Sequence, residues 1–257
     1  MINNKTVNIA AIVLLMALIT VQITIGLSNW YYALLLFVFT ALKAHGSATL
    51  SAQFFIKTTC QGGRESGAVA ITFDDGPLPG MTDQILNLLN SYQVKATFFC
   101  IGKRVVANPE ILKKIHEQNH LIGNHSFLHG HLFSLQSAGK IYEELRLTDE
   151  AIEKVIQAKP RFFRPPYGVT NPNVAQAIQK GNYITTGWSI RSMDTVIKDE
   201  EKLFQSVTKK LRAGDVILFH DFSETTIAIL PRVIDHIFKS GLKVVRLDEL
   251  LNEKPYA

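Results

Sequence analysis

The stretch AVAITFDDGP, residues 68–77, decides the fold of this chain. Its first six residues are small, β-branched or aromatic, which is typical of a buried strand. The run ends at Asp74 and Asp75, and Gly76-Pro77 then predicts a turn. Similar short runs recur along the chain, and we predict a strand at each of them. They are Lys95 to Ile101, His120 to Gly123, Arg161 to Phe163, Tyr183 to Trp188, Asp215 to Phe219 and Leu242 to Leu247.

Helices are predicted between these strands. Asn108-Pro109 and Asn171-Pro172 are typical helix starts, in which Asn caps the helix and Pro occupies its first turn. Strands that alternate with helices indicate an α/β fold with a mostly parallel sheet. This sheet is either an open doubly wound sheet or a closed barrel, and the periodicity does not choose between the two.

The composition excludes several classes of protein. The chain has 257 residues, of which 47% are apolar and 19% charged, so it is neither intrinsically disordered nor collagen-like. There are 27 Lys and Arg against 22 Asp and Glu, a formal net charge of +5. These charges form no basic arm, so nucleic acid is not an expected partner.

The N-terminal region indicates a membrane segment, because residues 6–42 contain no Asp, Glu, Lys or Arg. At about 1.5 Å per residue, Ile9 to Leu27 nearly crosses a hydrocarbon core of about 30 Å. Trp30 to Leu42 is a second, shorter apolar stretch that opens with three aromatic residues. Three interpretations are open: a hairpin of two helices, a single anchoring helix, or a secretory signal cleaved within residues 46–52. In the first two, membrane lipid is a partner.

The orientation of this segment depends on the interpretation. Lys5 precedes the first apolar stretch and Lys43 follows the second, so the positive-inside rule places both ends of a hairpin in the cytoplasm. A single anchoring helix instead places the rest of the chain outside.

Polar residues interrupt the apolar pattern where the predicted strands end. In a parallel α/β fold these carboxyl ends lie on one face, where such folds build their sites, so we expect one shared site. Its members are Asp74 with Asp75, His125, Arg164, Trp188 with Asp194, and His220.

His125 and His129 form a pair at i and i+4, which on one helical turn brings both imidazoles to the same side as metal ligands. His131 is more simply a solvated loop histidine. Two imidazoles and one carboxylate are a common catalytic ligand set for zinc, so Asp75 is the expected third ligand. Asp74 is then free to accept a proton. An Asx turn is the alternative interpretation of the two aspartates.

Arg164-Pro165-Pro166-Tyr167-Gly168 predicts a turn that two prolines stiffen and that presents a guanidinium and backbone N–H groups. A plain loop stiffener is the alternative. Similarly, a lone histidine at a strand end, such as His220, is more often structural than catalytic.

Together these residues resemble the motifs of the NodB-like polysaccharide deacetylases, also called carbohydrate esterase family 4. Motif one is TFDDGP at 72–77, motif two HSFLH at 125–129, motif three RPPYG at 164–168 and motif five LFH at 218–220. The resemblance covers about Ser66 to Leu250 and implies a deformed (β/α) barrel of seven or eight strands. The expected division is a membrane segment at 1–45, a linker at 46–65, the deacetylase domain at 66–250 and a tail at 251–257.

The resemblance also implies roles for the site residues. Asp75, His125 and His129 hold a divalent metal, expected to be zinc. Asp74, oriented by Arg164, is the base, and His220, tuned by Asp194, is the acid. The backbone N–H of Tyr167 stabilises the oxyanion, and Trp188 and Leu218 form the apolar wall around the acetyl methyl.

Motif four departs from the family pattern. The family usually has Asp-x-x-Asp-Trp, and this chain has Arg191-Ser192-Met193-Asp194-Thr195. The second aspartate is kept, so we expect the chemistry to persist, while the substrate contacts on this side are expected to differ.

The expected function is removal of N-acetyl groups from a GlcNAc-containing polysaccharide, such as peptidoglycan, a chitin-like polymer or an exopolysaccharide. The alternatives are an O-acetyl esterase or other amide hydrolase on the same scaffold, and a carbohydrate-binding protein without turnover. Because the family usually acts on finished polymers, we expect a membrane-anchored domain outside the cytoplasm of a bacterial-type cell envelope. The sequence does not indicate an oligomeric state.

Overall fold

The computed structural model describes residues 2–257. The described strands are β1 (Ala68–Asp74), β2 (Thr97–Cys100), β3 (Leu121–Asn124), β4 (Phe162–Phe163), β5 (Ile184–Thr185), β6 (Ile190–Arg191), β7 (Val216–His220) and β8 (Lys243–Val245). The α-helices are α1 (Asn4–Ile25), α2 (Trp30–Ala48), α3 (Met81–Ser91), α4 (Gly102–Ala107), α5 (Pro109–Glu117), α6 (Ala138–Ile156), α7 (Pro172–Gly181), α8 (Glu200–Thr208), α9 (Glu224–Lys239) and α10 (Leu247–Leu251). Short 3₁₀ helices lie at Leu50–Ala52, Arg64–Ser66, Phe133–Leu135 and Pro166–Gly168.

The strands form one parallel sheet in the order β5-β4-β3-β2-β1-β7-β6, and β8 pairs with the beginning of β1. Residues 59–61 pair on the open side of the sheet, where Thr59 lies beside Thr186, just after β5, and Gln61 lies beside Asp215, just before β7. The predicted deformed barrel is confirmed. Residues 59–61 lie within the segment 46–65, in which Leu50, Phe54 and Thr58 are buried.

Side chains of β1 alternate between the two faces of the sheet. Val69, Ile71 and Phe73 pack against the surrounding helices, whereas Ala68 and Ala70 belong to a separate cluster inside the barrel. This alternation is the period of two that an extended strand imposes. It places Thr72 and Asp74, like the two alanines, on the inner face.

One strand was not predicted. The predicted strand Tyr183 to Trp188 ends in the structure at Thr185, and the chain then crosses to form β6 without an intervening helix. In the crossing, Gly187 N donates to Thr59 O at 2.9 Å and Ser189 N donates to Val216 O at 3.0 Å. Asp194 therefore follows β6 and not the strand that contains Thr185.

Both predicted helix starts are confirmed, with α5 beginning at Pro109 and α7 at Pro172. The Asn171 side chain accepts a hydrogen bond from Val174 N at 2.9 Å, as a cap does. Asn108 makes no such bond, and its side-chain amide donates to Pro77 O and Arg104 O.

Helices α1 and α2 pack against each other as an antiparallel hairpin whose base rests on the barrel. Lys43 Nζ donates to Asn8 Oδ1 at 2.6 Å and also to the Asn4 side chain, which joins the two helices near the base. Asn4 N donates to Phe54 O at 2.9 Å. Within residues 2–257, α1 is the helix that is long and apolar enough to cross a membrane.

Candidate active site

The site lies where the carboxyl ends of β1, β3, β4 and β7 meet. Asp74 is opposite His220 in the register of β1 and β7. Asn124 of β3 is opposite Phe163 of β4, so the next residues, His125 and Arg164, leave neighbouring strands at the same level. Parallel pairing thus gathers residues that are distant in sequence.

The histidine pair converges, but the predicted helical turn is wrong. His125 to His129 form a loop after β3, in which Ser126 and His129 have φ values of 63° and 53°. Such values are incompatible with a right-handed helix. The loop still brings the two imidazole rings to 4.8 Å between centroids, because His129 N closes a tight turn onto Ser126 Oγ at 3.1 Å.

Asp75 completes a group of three possible metal ligands with these histidines. Its Oδ1 lies 3.5 Å from His125 Nε2 and 3.4 Å from His129 Nε2. This oxygen is buried and has no hydrogen-bond donor among the described residues. A buried carboxylate oxygen without a donor, facing two imidazole nitrogens, fits a divalent cation.

His125 has the protonation state that a metal ligand requires. Burial lowers the pKa of its imidazole to about 3, so the ring is neutral at physiological pH. Its Nδ1 lies 2.8 Å from Arg164 O, a backbone acceptor that requires the proton on Nδ1. The lone pair therefore remains on Nε2, which faces Asp75. This donor set, one carboxylate and two imidazoles, suits a divalent transition metal.

A buried polar network supports the loop of the histidines. Asn124 Nδ2 donates to Asp149 Oδ1 at 2.7 Å and to Leu145 O at 2.8 Å, while its Oδ1 accepts from Ser126 N at 2.9 Å. Tyr183 donates its hydroxyl to the other oxygen of Asp149 at 2.6 Å. Burial raises the pKa of Asp149 to about 6.

Two further residues support the turn that carries Asp75. Arg104 Nη1 donates to Asp75 O at 2.6 Å. Asp221 is fully buried beneath Gly76, where its carboxylate accepts from Thr82 Oγ1 at 2.6 Å and leaves no room for a Cβ on the glycine. Burial raises the pKa of Asp221 to about 7.

Asp74 lies inside the barrel beside a buried arginine. Arg164 Nη1 donates to Asp74 Oδ1 at 2.7 Å and to Thr72 Oγ1 at 2.8 Å, and Nη2 donates to Gly187 O at 2.8 Å. The guanidinium also stacks over the Phe99 ring at 4.1 Å. Burial raises the pKa of the Asp74 carboxyl, and the positive charge of Arg164 opposes this rise. Arg164 thereby fixes the position of Asp74 and favours its ionised form.

His220 and Asp194 form a second pair. His220 Nδ1 lies 2.8 Å from Asp194 Oδ1, and the His220 backbone N–H donates to Oδ2 at 2.7 Å. Thr226 Oγ1 also donates to Oδ2, at 2.7 Å. Burial works to lower the pKa of His220, but the hydrogen bond and negative charge of Asp194 outweigh it, so the pKa is raised. Asp194 therefore favours the imidazolium.

The remaining predicted residues surround these pairs. Tyr167 has a φ of 59° in the proline-stiffened turn, and its hydroxyl donates to His129 O at 3.2 Å. Trp188 packs against Gly168 of the same turn, and Leu218 is buried next to Thr72 in the register of β1 and β7. All the residues predicted from the motifs thus lie together near the carboxyl ends of the strands.

The altered positions of motif four lie beside this site. Arg191 is exposed and its guanidinium lies 5.7 Å from the Trp188 ring centroid. Thr195 is also exposed. Neither change disturbs the contact of Asp194 with His220.

Sequence reasoning missed Asn124, Asp149, Arg104 and Asp221. Asn124 and Asp221 directly flank predicted site residues, and this adjacency was an available signal. Asp149 lies in the middle of α6, where an acidic residue is indistinguishable in sequence from one on a solvated helix face.

Comparison with known proteins defines the class. The polysaccharide deacetylase family model matches residues 61–185. A peptidoglycan-N-acetylglucosamine deacetylase of Bacillus cereus is 35% identical over 191 residues, which cover 72% of this chain and 89% of that protein. The chain therefore belongs to the NodB-like polysaccharide deacetylases, carbohydrate esterase family 4, which are hydrolases.

Solved structures agree with this assignment. The crystal structure of a peptidoglycan N-acetylglucosamine deacetylase superposes with a TM-score of 0.73 at 27% identity, covering 78% of this chain and 95% of that one. A family pseudoenzyme from Bacillus anthracis superposes with a TM-score of 0.72 at 29% identity, covering 77% of this chain and 70% of that one. Fold alone therefore does not separate an active member of the family from an inactive one.

Proposed function

We propose that this protein removes N-acetyl groups from a GlcNAc-containing polysaccharide, with peptidoglycan as the favoured polymer. The observation that carries the proposal is that a ligand trio, a paired carboxylate and a paired imidazole lie together at the carboxyl ends of neighbouring strands. The name of the Bacillus cereus relative supports the substrate class.

The proposed cofactor is a divalent metal, zinc, held by Asp75, His125 and His129. When bound, zinc would supply Lewis acidity that polarises the acetamide carbonyl and makes a water molecule more acidic. The rest of the chemistry falls to side chains of this chain.

Asp74 is the proposed base. Its carboxylate accepts the proton of the water that attacks the acetamide carbon, and the positive charge of Arg164 favours the ionised form that this role requires. The Tyr167 backbone N–H donates to the oxygen on which negative charge develops, a contribution of about 3–4 kcal/mol for a comparable donor.

His220 is the proposed acid. Its imidazolium gives a proton to the sugar nitrogen as the carbon–nitrogen bond breaks, which yields acetate and a free amine. Asp194 maintains the imidazolium. Leu218 and Trp188 offer the apolar contact for the acetyl methyl.

The proposed location is a membrane, with the helical hairpin in the lipid and the barrel outside the cytoplasm, where the polymer lies. The domain division at 1–45, 46–65, 66–250 and 251–257 belongs to this proposal. A reporter active only in the cytoplasm, fused after Ala257, should be inactive. An active reporter would contradict the outward orientation and favour a membrane-linked precursor as substrate.

The test of the reaction uses the full chain in detergent. Acetate release from N-acetylglucosamine oligomers and peptidoglycan fragments should disappear with a chelator and return with zinc. His125→Ala should abolish release, whereas the control His131→Ala, a change in the same loop outside the ligand trio, should retain bound zinc. Glycan binding without release would favour a pseudoenzyme, and release from O-acetyl esters alone would favour an esterase.

A further inference from the structure

Exposed apolar side chains of the barrel are concentrated at the end of the barrel that carries the active site. Apart from Ile2 and the hairpin, nine large apolar residues are exposed within residues 2–257, and all but Val106 and Phe238 lie in the segments that follow β3, β4, β6 and β7. The seven are Leu128, Leu132, Leu135, Tyr167, Met193, Val196 and Phe222. Monomeric soluble proteins rarely leave such side chains grouped, so this rim indicates an interaction surface.

Three of these residues lie in one segment, residues 128–135, which we call the leucine loop. Leu135 is the most exposed of the seven, at 75%, and Leu132 and Val196 follow at 67% each. Phe133 between them is fully buried, so the loop is anchored through its phenylalanine while both leucines remain outside. The exposure is therefore a property of an ordered turn.

The leucine loop and the base of the hairpin are attached to the same short segment, residues 170–173. Thr170 N donates to Ser47 O at 3.0 Å, and Ser47 Oγ donates to Thr170 O at 2.6 Å. The next residue, Asn171, donates its side-chain amide to Ser134 O, and Asn173 donates to Gln136 O at 3.0 Å. The exposed leucines are thus adjacent to the end of α2.

The hairpin surface continues this apolar region. Its outer side chains are exposed along both helices, among them Ile9, Ile12, Leu36 and Phe37. On the proposed membrane location, lipid around the hairpin would lie near its base at Ser47, which residues 170–173 join to the leucine loop. A protein that bound the leucine loop would have to fit beside this lipid. Lipid needs no separate binding surface there, because it already covers the adjoining hairpin.

We infer that the leucine loop inserts Leu132 and Leu135 into the surface of the membrane that holds the hairpin. This inference rests on the proposed membrane location. It gives the barrel a second attachment beside the hairpin. It also places the active site close to the lipid surface, since His129 lies in the leucine loop and accepts a hydrogen bond from the Tyr167 hydroxyl. The enzyme would then act on glycan near the membrane.

The experiment places a tryptophan in the loop of the full chain. In a Trp30→Phe background, Leu135→Trp is reconstituted into phosphatidylglycerol–phosphatidylethanolamine vesicles, with or without brominated acyl chains. The matched control is Phe238→Trp, an exposed apolar position beside Tyr92 where α9 ends, at the opposite end of the barrel. Trp188 contributes the same background emission to both proteins.

Emission from Leu135→Trp should be lost in brominated vesicles, whereas emission from Phe238→Trp should not. Equal quenching of the two variants, or a blue shift of Leu135→Trp without quenching, would overturn the inference, the latter by indicating a protein contact. The chain that retains Trp30 reports hairpin insertion separately. Quenched Trp30 with unquenched Leu135→Trp would reject the loop contact and keep the anchor, and acetate release from the same vesicles tests the reaction independently.

Discussion

Arg164 and Asp74 form an ion pair inside the barrel, with 2.7 Å between Arg164 Nη1 and Asp74 Oδ1 and the arginine fully buried. Thr72 and Gly187 satisfy further N–H groups of the guanidinium. Taking two charges out of water is costly, so a pair of this kind is weak evidence for stability. Its position between the inner face of β1 and the site indicates that it serves the chemistry of Asp74.

Removing the arginine should therefore affect both stability and pH dependence. Arg164→Met leaves Asp74 buried without a partner, which should cost about 3–5 kcal/mol of the free energy of unfolding. The pKa of Asp74 should rise further, and because the base acts above its pKa, the acid limb of the activity profile should move to higher pH. Denaturant unfolding and the pH dependence of kcat/KM measure the two effects.

Arg191→Met is the control for this change, since Arg191 is exposed and makes no ion pair within the described residues. It should change the free energy of unfolding by less than about 0.5 kcal/mol. An acid limb that stays in place in Arg164→Met would show that Arg164 does not set the charge of Asp74.

The pair of His220 and Asp194 should set the pH at which enzyme activity declines on the alkaline side. Asp194 raises the pKa of His220, and the imidazolium that donates the proton exists below that pKa. Asp194→Asn removes the negative charge and should lower the pKa, so activity should decline at lower pH than in the wild type. Asp199→Asn, an exposed carboxylate at the start of α8, is the control and should leave the alkaline limb unchanged. Identical limbs in all three proteins would show that the alkaline limb does not report a His220 imidazolium stabilised by Asp194.

The same pair predicts a trend in stability. A histidine whose pKa is raised on folding contributes stability that is complete below its unfolded pKa of about 6.5 and is lost as pH rises through the folded value. The wild type should therefore lose unfolding free energy above about pH 6.5, and Asp194→Asn should show less of this loss. Thermal unfolding across this pH range checks the sign.

Long strands and strand-end motifs could be predicted from the sequence, and very short elements could not. β1 has seven buried residues and a clear boundary at Asp74, whereas β6 has only Ile190 and Arg191. Two residues show no periodicity, and β6 exists because Ser189 bonds to Val216, a contact that local sequence does not encode.

The spacing of the two histidines predicts that they lie close together, although the predicted helical turn is wrong. Histidines at i and i+4 converge on a helical turn, but a loop with positive φ at Ser126 and His129 gives the same convergence. The spacing therefore predicted the pair and not the backbone. Asp149 reaches the site only through tertiary packing of α6 on β3, so no local pattern identifies it.

Asn124 should control how tightly the metal is held. Asn124→Leu removes the donor to Asp149 and the acceptor for Ser126 N, so the loop of His125 loses its internal support. Loss of a hydrogen bond that supports a metal ligand typically lowers metal affinity by about 10–100-fold, and we expect a loss of this size in Asn124→Leu. Competition with a chromophoric chelator measures it. Asn90→Leu, an exposed position on α3, is the control, and equal zinc affinity in the two variants would show that the network is only structural.

Gly168 both permits the positive φ of its turn and leaves room for the Trp188 ring. Its φ is 68°, and an added Cβ would lie 2.6 Å from the Trp188 ring, so Gly168→Ala must both strain the backbone and displace the indole. Gly241→Ala separates the two effects, because Gly241 has a φ of 73° with nothing near the added Cβ. Backbone strain should cost each variant about 1–2 kcal/mol of unfolding free energy. Gly168→Ala alone should lose kcat/KM, since only there does Trp188 move from the acetyl methyl. Equal catalytic parameters in the two variants would show that Trp188 does not form the wall.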